Sequence, residues 1–267
     1  MLQEVLRCPA KGQTKDQRQH APLLFVHGSY CAAWIWAEKY LPYFAERGFS
    51  ANAVSLRGHG GSEGLLSWAS LADFVDDVVK AVAGFKTKPV IIGHSMGGLV
   101  VQHYLSKHPA AAAVLMSSVP PSGLGSSIMH MTMFSPDVMW QLGLLQSLGP
   151  EAVSAEIIRR AFFTSDASVE EVRHLLPKLQ SESHRISAEL LAPSQPSPPS
   201  GPDRPPVLVL GGDADIFLPN SAFRETATFF GADLEILKGA PHGLMIDPLW
   251  WQPSADTIIA WLEKKGL

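Results

Sequence analysis

The sequence predicts an α/β protein in which a mostly parallel sheet is covered by helices on both faces. Three observations carry that expectation. Short apolar runs alternate with helical stretches from residue 23 to residue 119, and the alternation resumes at residue 207. One of those runs, Pro89-Val90-Ile91-Ile92, passes through Gly93-His94-Ser95-Met96-Gly97-Gly98 directly into the helical stretch Leu99 to Leu105. A length of 267 residues, 46% of them hydrophobic, is enough for one large core.

Taken in order, Leu23 to Val26 reads as a buried strand ending at His27-Gly28, and Trp34 to Arg47 as a helix stopped by Gly48. Ala51 to Leu56 is the next strand. It runs into Arg57-Gly58-His59-Gly60-Gly61-Ser62. Between Leu71 and Phe85, the residues Phe74, Val75, Val78, Val79 and Val82 recur at helical spacing. After the Ser95 turn and its helix, Ala113 to Val119 is again a strand. From about Pro120 to Ala192 the strand rhythm is lost and helical patches remain, which predicts a helical insertion. Residues 193–206 then hold seven prolines in fourteen positions, the composition of a semi-rigid or disordered connector. Strand Val207 to Leu210, a helix over Ser221 to Phe230, strand Leu234 to Leu237 and a helix from Pro253 to Lys265 complete the chain. The expected organisation is a core of residues 1–120 and 205–267, a helical cap over 121–192, and a linker over 193–206.

Composition excludes several function classes. The net charge is −4, with 21 Lys and Arg against 25 Asp and Glu and no basic block, so nothing points to nucleic acid. The two cysteines, Cys8 and Cys31, suit free thiols of a reducing compartment better than a disulfide framework. No run of 18 apolar residues occurs and the first 22 residues lack the apolar core of a signal peptide. The expectation is a soluble, non-secreted protein of the cytoplasm or an organelle interior, with removal of a transit peptide left open.

Chemistry enters at Ser95. A serine at the apex of a sharp strand-to-helix turn presents its hydroxyl to solvent, while the helix N-terminus stabilises nearby negative charge. Gly93 and Gly97 flank it where a side chain would collide between strand and helix. Together with His27-Gly28, Arg57 to Ser62, Gly212-Asp213-Ala214-Asp215 and Pro241-His242-Gly243, this motif resembles the α/β-hydrolase fold family of serine esterases and lipases with a helical cap. The resemblance covers residues 22 to 119 and 205 to 265, in the family's order of nucleophile, acid and base. It implies the α/β-hydrolase fold and a Ser95, His242, Asp215 triad. His242 follows the last short strand, where such enzymes place the base. Asp215 is preferred as the acid because Pro219 stands four residues on, as in the family pattern. Asp213 and Asp247 are the competing carboxylates, and Pro120-Pro121 occupies the alternative acid position. The resemblance also implies an oxyanion hole of two backbone N–H groups, those of Ser29 and Met96, with Tyr30 less favoured than Ser29. His27 is expected to hold its turn, and Ser55 departs from the family by standing where Asp is usual, which predicts a looser loop. No histidine pair has the spacing of a zinc site, and neither metal nor cofactor is expected.

Substrate must be read from the cap. Met129, Met131, Met133, Phe134, Met139 and Trp140 form an apolar, adaptable cluster that either lines a pocket or packs the cap onto the sheet. Tyr30, Trp34, Met131, Met133, Phe134, Trp140 and Leu244 are the expected substrate-binding residues. The function that follows is hydrolysis of a lipophilic carboxylic ester, of lysophospholipid, monoacylglycerol or chlorophyll phytyl-ester type, through an acyl-enzyme. The partner is a lipophilic small-molecule ester, and a peripheral membrane contact through the cap stays open. The alternatives are the same triad used for C–C hydrolysis, hydroxynitrile cleavage or peroxidation, and a non-enzymatic small-molecule receptor.

Overall fold

The computed structural model describes residues 1–12, 20–201 and 204–267. Seven strands form one sheet: β1 (Val5–Cys8), β2 (Leu23–Val26), β3 (Ala51–Val54), β4 (Val90–His94), β5 (Ala112–Met116), β6 (Val207–Gly212) and β7 (Asp233–Leu237). Their spatial order is β1-β3-β2-β4-β5-β6-β7, and only the β1–β3 pair is antiparallel. β2, β4, β5 and β6 are buried along their whole length, which is why they read as unbroken apolar runs. The edge strand β7 alternates in exposure.

Successive side chains point to opposite faces of the sheet, and each face has its own core. Leu24, Val26 and Ile91 pack against α3 (Leu71–Ala83), α4 (Met96–Leu105) and α10 (Asn220–Phe230) through Phe74, Leu99 and Phe223. Leu23, Phe25 and Ile92 pack on the other side against α1 (Trp34–Ala37), α2 (Tyr40–Glu46) and α11 (Trp251–Lys265) through Trp36, Tyr40 and Ile258. The start of α3 is closed by a capping box, in which the Ser70 hydroxyl accepts from Asp73 N–H and the Asp73 carboxylate accepts from Ser70 N–H.

Between β5 and β6 lie α5 (Gly125–Phe134), α6 (Pro136–Leu148), α7 (Ala155–Phe162), α8 (Val169–Arg173) and α9 (His184–Leu191). They enclose a small apolar cluster of their own, including Leu145, Ile158, Phe163 and Val172. No helix among the described residues is long and apolar enough to cross a membrane.

Four features differ from the sequence reading. The helix expected over Trp34 to Arg47 is two helices, because the chain turns at residues 38–39 to follow the sheet. The strand expected to reach Val119 stops at Met116, since Ser117 adopts φ 40° and Val119 N–H instead donates to Ser95 O at 3.2 Å. β1 has no strong apolar signal, because an edge strand of four residues alternates weakly. In the proline-rich stretch 193–206, positions 202 and 203 lie outside the described residues. The rest carries no helix or strand, yet it lies against the core: Pro196 is buried and Ser197 N–H donates to Ser106 Oγ at 2.8 Å.

Candidate active site

Ser95 sits between β4 and α4 with φ 53° and ψ −119°, a backbone conformation that side chains other than glycine rarely adopt. The fold holds it there. Ser95 N–H donates to Met116 O at 3.0 Å and Ser95 O accepts from Gly98 N–H at 3.0 Å. A β-carbon on Gly93 would strike the carbonyl of Gly97, and one on Gly97 would strike the carbonyl of His27. Strand and helix therefore approach as closely as backbone permits, and that approach forces the elbow.

His242 lies in the loop after β7, buried, with Nδ1 2.7 Å from Asp215 Oδ2. The other Asp215 oxygen accepts from the N–H groups of Phe217 and Leu218, at 2.9 and 3.0 Å, so the carboxylate is locked in orientation. That leaves the ring Nε2 of His242 as its proton-accepting nitrogen. Phe217 and Phe162 stand edge-on to the imidazole, with centroids 4.7 and 5.6 Å away.

The two competing carboxylates are accounted for. Asp213 is exposed and accepts from Gly239 N–H, tying β6 to the loop after β7. Asp247 is fully buried and accepts from the N–H and hydroxyl of Thr164 and from the N–H groups of Leu249 and Trp250. It fastens the His242 loop to the segment after α7.

Ser95, Met96, His242, Ser29 and Tyr30 line one cavity of about 450 Å³, within the usual range for small-molecule sites. Met96 is the first residue of α4, so its N–H is one of the helix donors with no intrahelical partner. Ser29 adjoins it, with Ser29 Oγ 3.3 Å from Met96 Sδ. Tyr30 N–H is already engaged, donating to Glu182 Oε2 at 3.3 Å.

Two histidines support the floor of this cavity. His27 accepts from Leu56 N–H through Nε2 (3.0 Å) and donates through Nδ1 to Gly28 O (2.8 Å). Burial, reinforced by His59, pushes its pKa down to about 3. His94 was not singled out by its sequence position, the variable site of the elbow motif, yet its Nε2 donates to the backbone carbonyl of His242 at 3.0 Å. Burial and the neighbouring His242 hold it well below the ordinary histidine range, so it serves as a neutral donor. The expected loosening at Ser55 is absent. Its buried hydroxyl bridges Glu4 and Ala33 N–H, so a carboxylate reaches this loop from the approach to β1.

The expected substrate-binding residues divide sharply. Tyr30 and Met131 line the cavity. Met133, Phe134 and Trp140 do not: they are 68%, 69% and 69% exposed on the outer faces of α5 and α6. Helical geometry explains the split. Ile128 and Met131, three apart, turn one face of α5 to the cavity, while Met129 and Met133, four apart, occupy the opposite face. Leu244 is fully buried in the core beneath the sheet, and Trp34 borders a smaller void between α1 and the insertion. The residues that actually build the wall include Met139 and Leu142 from α6, Leu190 from α9, and Phe162 and Phe217. Apolar residues of this kind are ordinary core formers in sequence, so no local signal distinguishes them.

The sequence pattern of the alpha/beta hydrolase family matches residues 23–251. The chain belongs to the alpha/beta hydrolase family. A non-heme haloperoxidase from Rhodococcus erythropolis is 32% identical over 111 residues, covering 40% of each chain. A bifunctional esterase/perhydrolase from Acinetobacter calcoaceticus is 31% identical over 105 residues, covering 38% of each. The chain thus matches about two fifths of the length of these curated relatives. Among solved structures, an esterase from Exiguobacterium antarcticum aligns with TM-score 0.74 at 15% identity, over 98% of this chain and 95% of that one. An enol-lactonase from Burkholderia xenovorans aligns with TM-score 0.72 at 18% identity, over 98% and 96%. This likeness is one of fold. It places the alpha/beta hydrolase sheet of the present chain beside proteins whose chemistry ranges over several reactions.

Proposed function

We propose that the protein is a serine esterase acting on carboxylic esters of lipophilic substrates. The observation that carries this reading is the convergence on one apolar cavity of an elbow serine and a histidine whose Nδ1 is fixed by a buried carboxylate. In this reading Ser95 Oγ attacks the ester carbonyl while His242 Nε2 takes its proton. The tetrahedral oxyanion is met by the N–H groups of Ser29 and Met96, and His242 returns the proton to the departing alcohol. Water, deprotonated by His242, then adds to the acyl-serine, and the acid leaves as Ser95 regains its proton. Asp215 stabilises the imidazolium formed in both halves.

The lipophilic preference is supported by the wall that Met131, Met139, Leu142 and Leu190 give the cavity. Monoacylglycerol, lysophospholipid and phytyl esters are the substrate types this reading covers. A second reading uses the same acyl-enzyme with hydrogen peroxide in place of water, yielding a peracid. It draws on the printed names of the haloperoxidase and esterase/perhydrolase relatives. A fluorophosphonate probe should label Ser95 alone, and Ser95→Ala should abolish labelling together with turnover of a nitrophenyl ester series. Labelling elsewhere, or ester turnover that survives in Ser95→Ala, would overturn the mechanism. Adding peroxide to the wild-type reaction and assaying peracid separates the two acyl acceptors.

A further inference from the structure

Among the described residues, three other than glycine have positive φ: Ser95, Ser117 and Tyr30, the last at 63°. Strand bonding accounts for the first two, since Ser95 N–H donates to Met116 O and Ser117 N–H donates to Leu210 O at 2.7 Å. Tyr30 belongs to a loop, and the left-handed region costs a residue with a β-carbon about 1–2 kcal/mol. What holds it comes from a distant part of the chain. Gln180 N–H donates to Tyr30 O at 3.0 Å, and Glu182 Oε2 accepts from Tyr30 N–H at 3.3 Å.

Glu182 is an unusual choice for that place. Its side chain is 1% exposed, and burying a carboxylate is unfavourable unless its oxygens are satisfied. Here they are satisfied. Oε1 accepts from Ser183 N–H at 2.7 Å, and Oε2 lies 3.3 Å from Nε2 of the fully buried His59 as well as from Tyr30 N–H. The flanking residues tie the same stretch to the loop after β3. Gln180 donates to Gly58 O and accepts from Gly60 N–H, both at 2.9 Å, and Ser183 Oγ donates to Ala69 O at 2.7 Å. The stretch between Leu179 and Ser183 contains no helix or strand, so these side-chain bonds are what register it against the sheet.

We propose that Glu182 is a positioning residue for the oxyanion hole: by holding the Tyr30 amide it sets the turn that presents Ser29 N–H beside Met96 and Ser95. It touches no substrate, since the cavity wall includes Tyr30 and Ser29 but not Glu182. The helical insertion therefore contributes to the chemical step as well as to the wall of the cavity. This inference rests on the serine esterase reading given above.

The test compares Glu182→Leu, which keeps volume but accepts no hydrogen bond, with Glu182→Gln, whose amide oxygen still accepts from Tyr30 N–H. Steady-state kinetics on nitrophenyl acetate are paired with two inhibitors, a trifluoromethyl ketone that forms a hemiketal oxyanion on the serine and the matching carbinol that does not. Glu182→Leu should lower kcat by about 10- to 100-fold, less than the loss on deleting an oxyanion donor outright, with KM nearly unchanged. The ketone should weaken by the same factor while the carbinol stays within about twofold. Glu182→Gln should recover most of the loss. If Glu182→Leu fails to fold, Glu182→Asp, which retains the charge but withdraws it from Tyr30, should give the same split at smaller size. Wild-type kcat in the folded variant, equal weakening of ketone and carbinol, or no recovery with glutamine would overturn the assignment. Failure of the fluorophosphonate to label Ser95 in the wild-type protein would instead remove the esterase reading on which it stands.

Discussion

The ends of the strands and the helical insertion meet across one cavity, and they are built by different rules. On the sheet side the functional groups are held by directed hydrogen bonds, from backbone and from buried side chains. Ser95 is fixed by three main-chain bonds, one Asp215 oxygen by two backbone amides, and the His242 carbonyl by the His94 ring. On the insertion side the wall is made of helices that turn apolar faces inward, with Met131, Met139, Leu142 and Leu190 supplying area rather than directed bonds. Directed bonds fix atoms to within tenths of an ångström and tolerate little substitution. Apolar contact is additive over area and tolerates exchange of like for like. On the proposed reading, reaction type and substrate preference are separable properties, and the two sides are joined both at the Gln180 to Ser183 stretch and where Asp247 and Gly243 bond Thr164 and Phe162.

The largest expected effect tests the sheet side. Asp215→Asn should lower kcat on the order of 10³- to 10⁴-fold, because an amide neither fixes the imidazole tautomer nor stabilises the imidazolium. Asp213→Asn should cost only a few-fold in the same assay, through loop stability rather than chemistry. The reverse ranking in a side-by-side kinetic measurement would end the claim that the carboxylate at His242 Nδ1 is the working one.

Next in size is an effect of pH on the sheet side. His27 is neutral in the folded state because its pKa of about 3 lies below the ordinary 6.5. Below pH 6.5 the unfolded chain therefore takes up a proton that the folded chain refuses. The contribution of His27 is complete above that pH and is lost as pH falls towards 3, with a slope of up to about 1.4 kcal/mol per pH unit. Urea unfolding at a series of pH values should show this decline, and His27→Gln should lower stability at neutral pH while flattening the decline. A variant that keeps the wild-type slope would show that the acid sensitivity resides elsewhere.

A smaller effect sharpens the picture of the wall. In an ester series of one alcohol, each added acyl methylene should raise kcat/KM by roughly threefold to fourfold until the cavity fills, from about 0.8 kcal/mol per buried methylene. Met131→Ser with Leu142→Ser should flatten that slope and leave acetate nearly unaffected. Equal losses on acetate and on long esters would mean that the insertion also holds the reacting groups.

The smallest effect concerns the outer face of the same helices. Replacing Met133, Phe134 and Trp140 by serine should leave the chain-length slope unchanged and shift stability by within about 0.5 kcal/mol each, as for exposed positions generally. A flattened slope would place these side chains at the substrate after all.

Much of the sheet side was legible in the sequence because its requirements are local. Gly93 and Gly97 answer to a close approach that any side chain would block, and Ser95 lies between them by necessity. The family resemblance, through Pro219 four residues on, favoured Asp215, and that is the carboxylate the fold sets against His242. Only the tertiary structure decided the rest. Whether a methionine on α5 faces cavity or solvent depends on the rotation of the helix about its axis, which packing against neighbours such as α6 sets and the apolar cluster in the sequence does not. Glu182 carries no motif at all. Its meaning comes from being brought, 152 residues along the chain, to within hydrogen-bonding distance of Tyr30, and a bond of that kind is a property of the folded chain because neither residue alone specifies its partner.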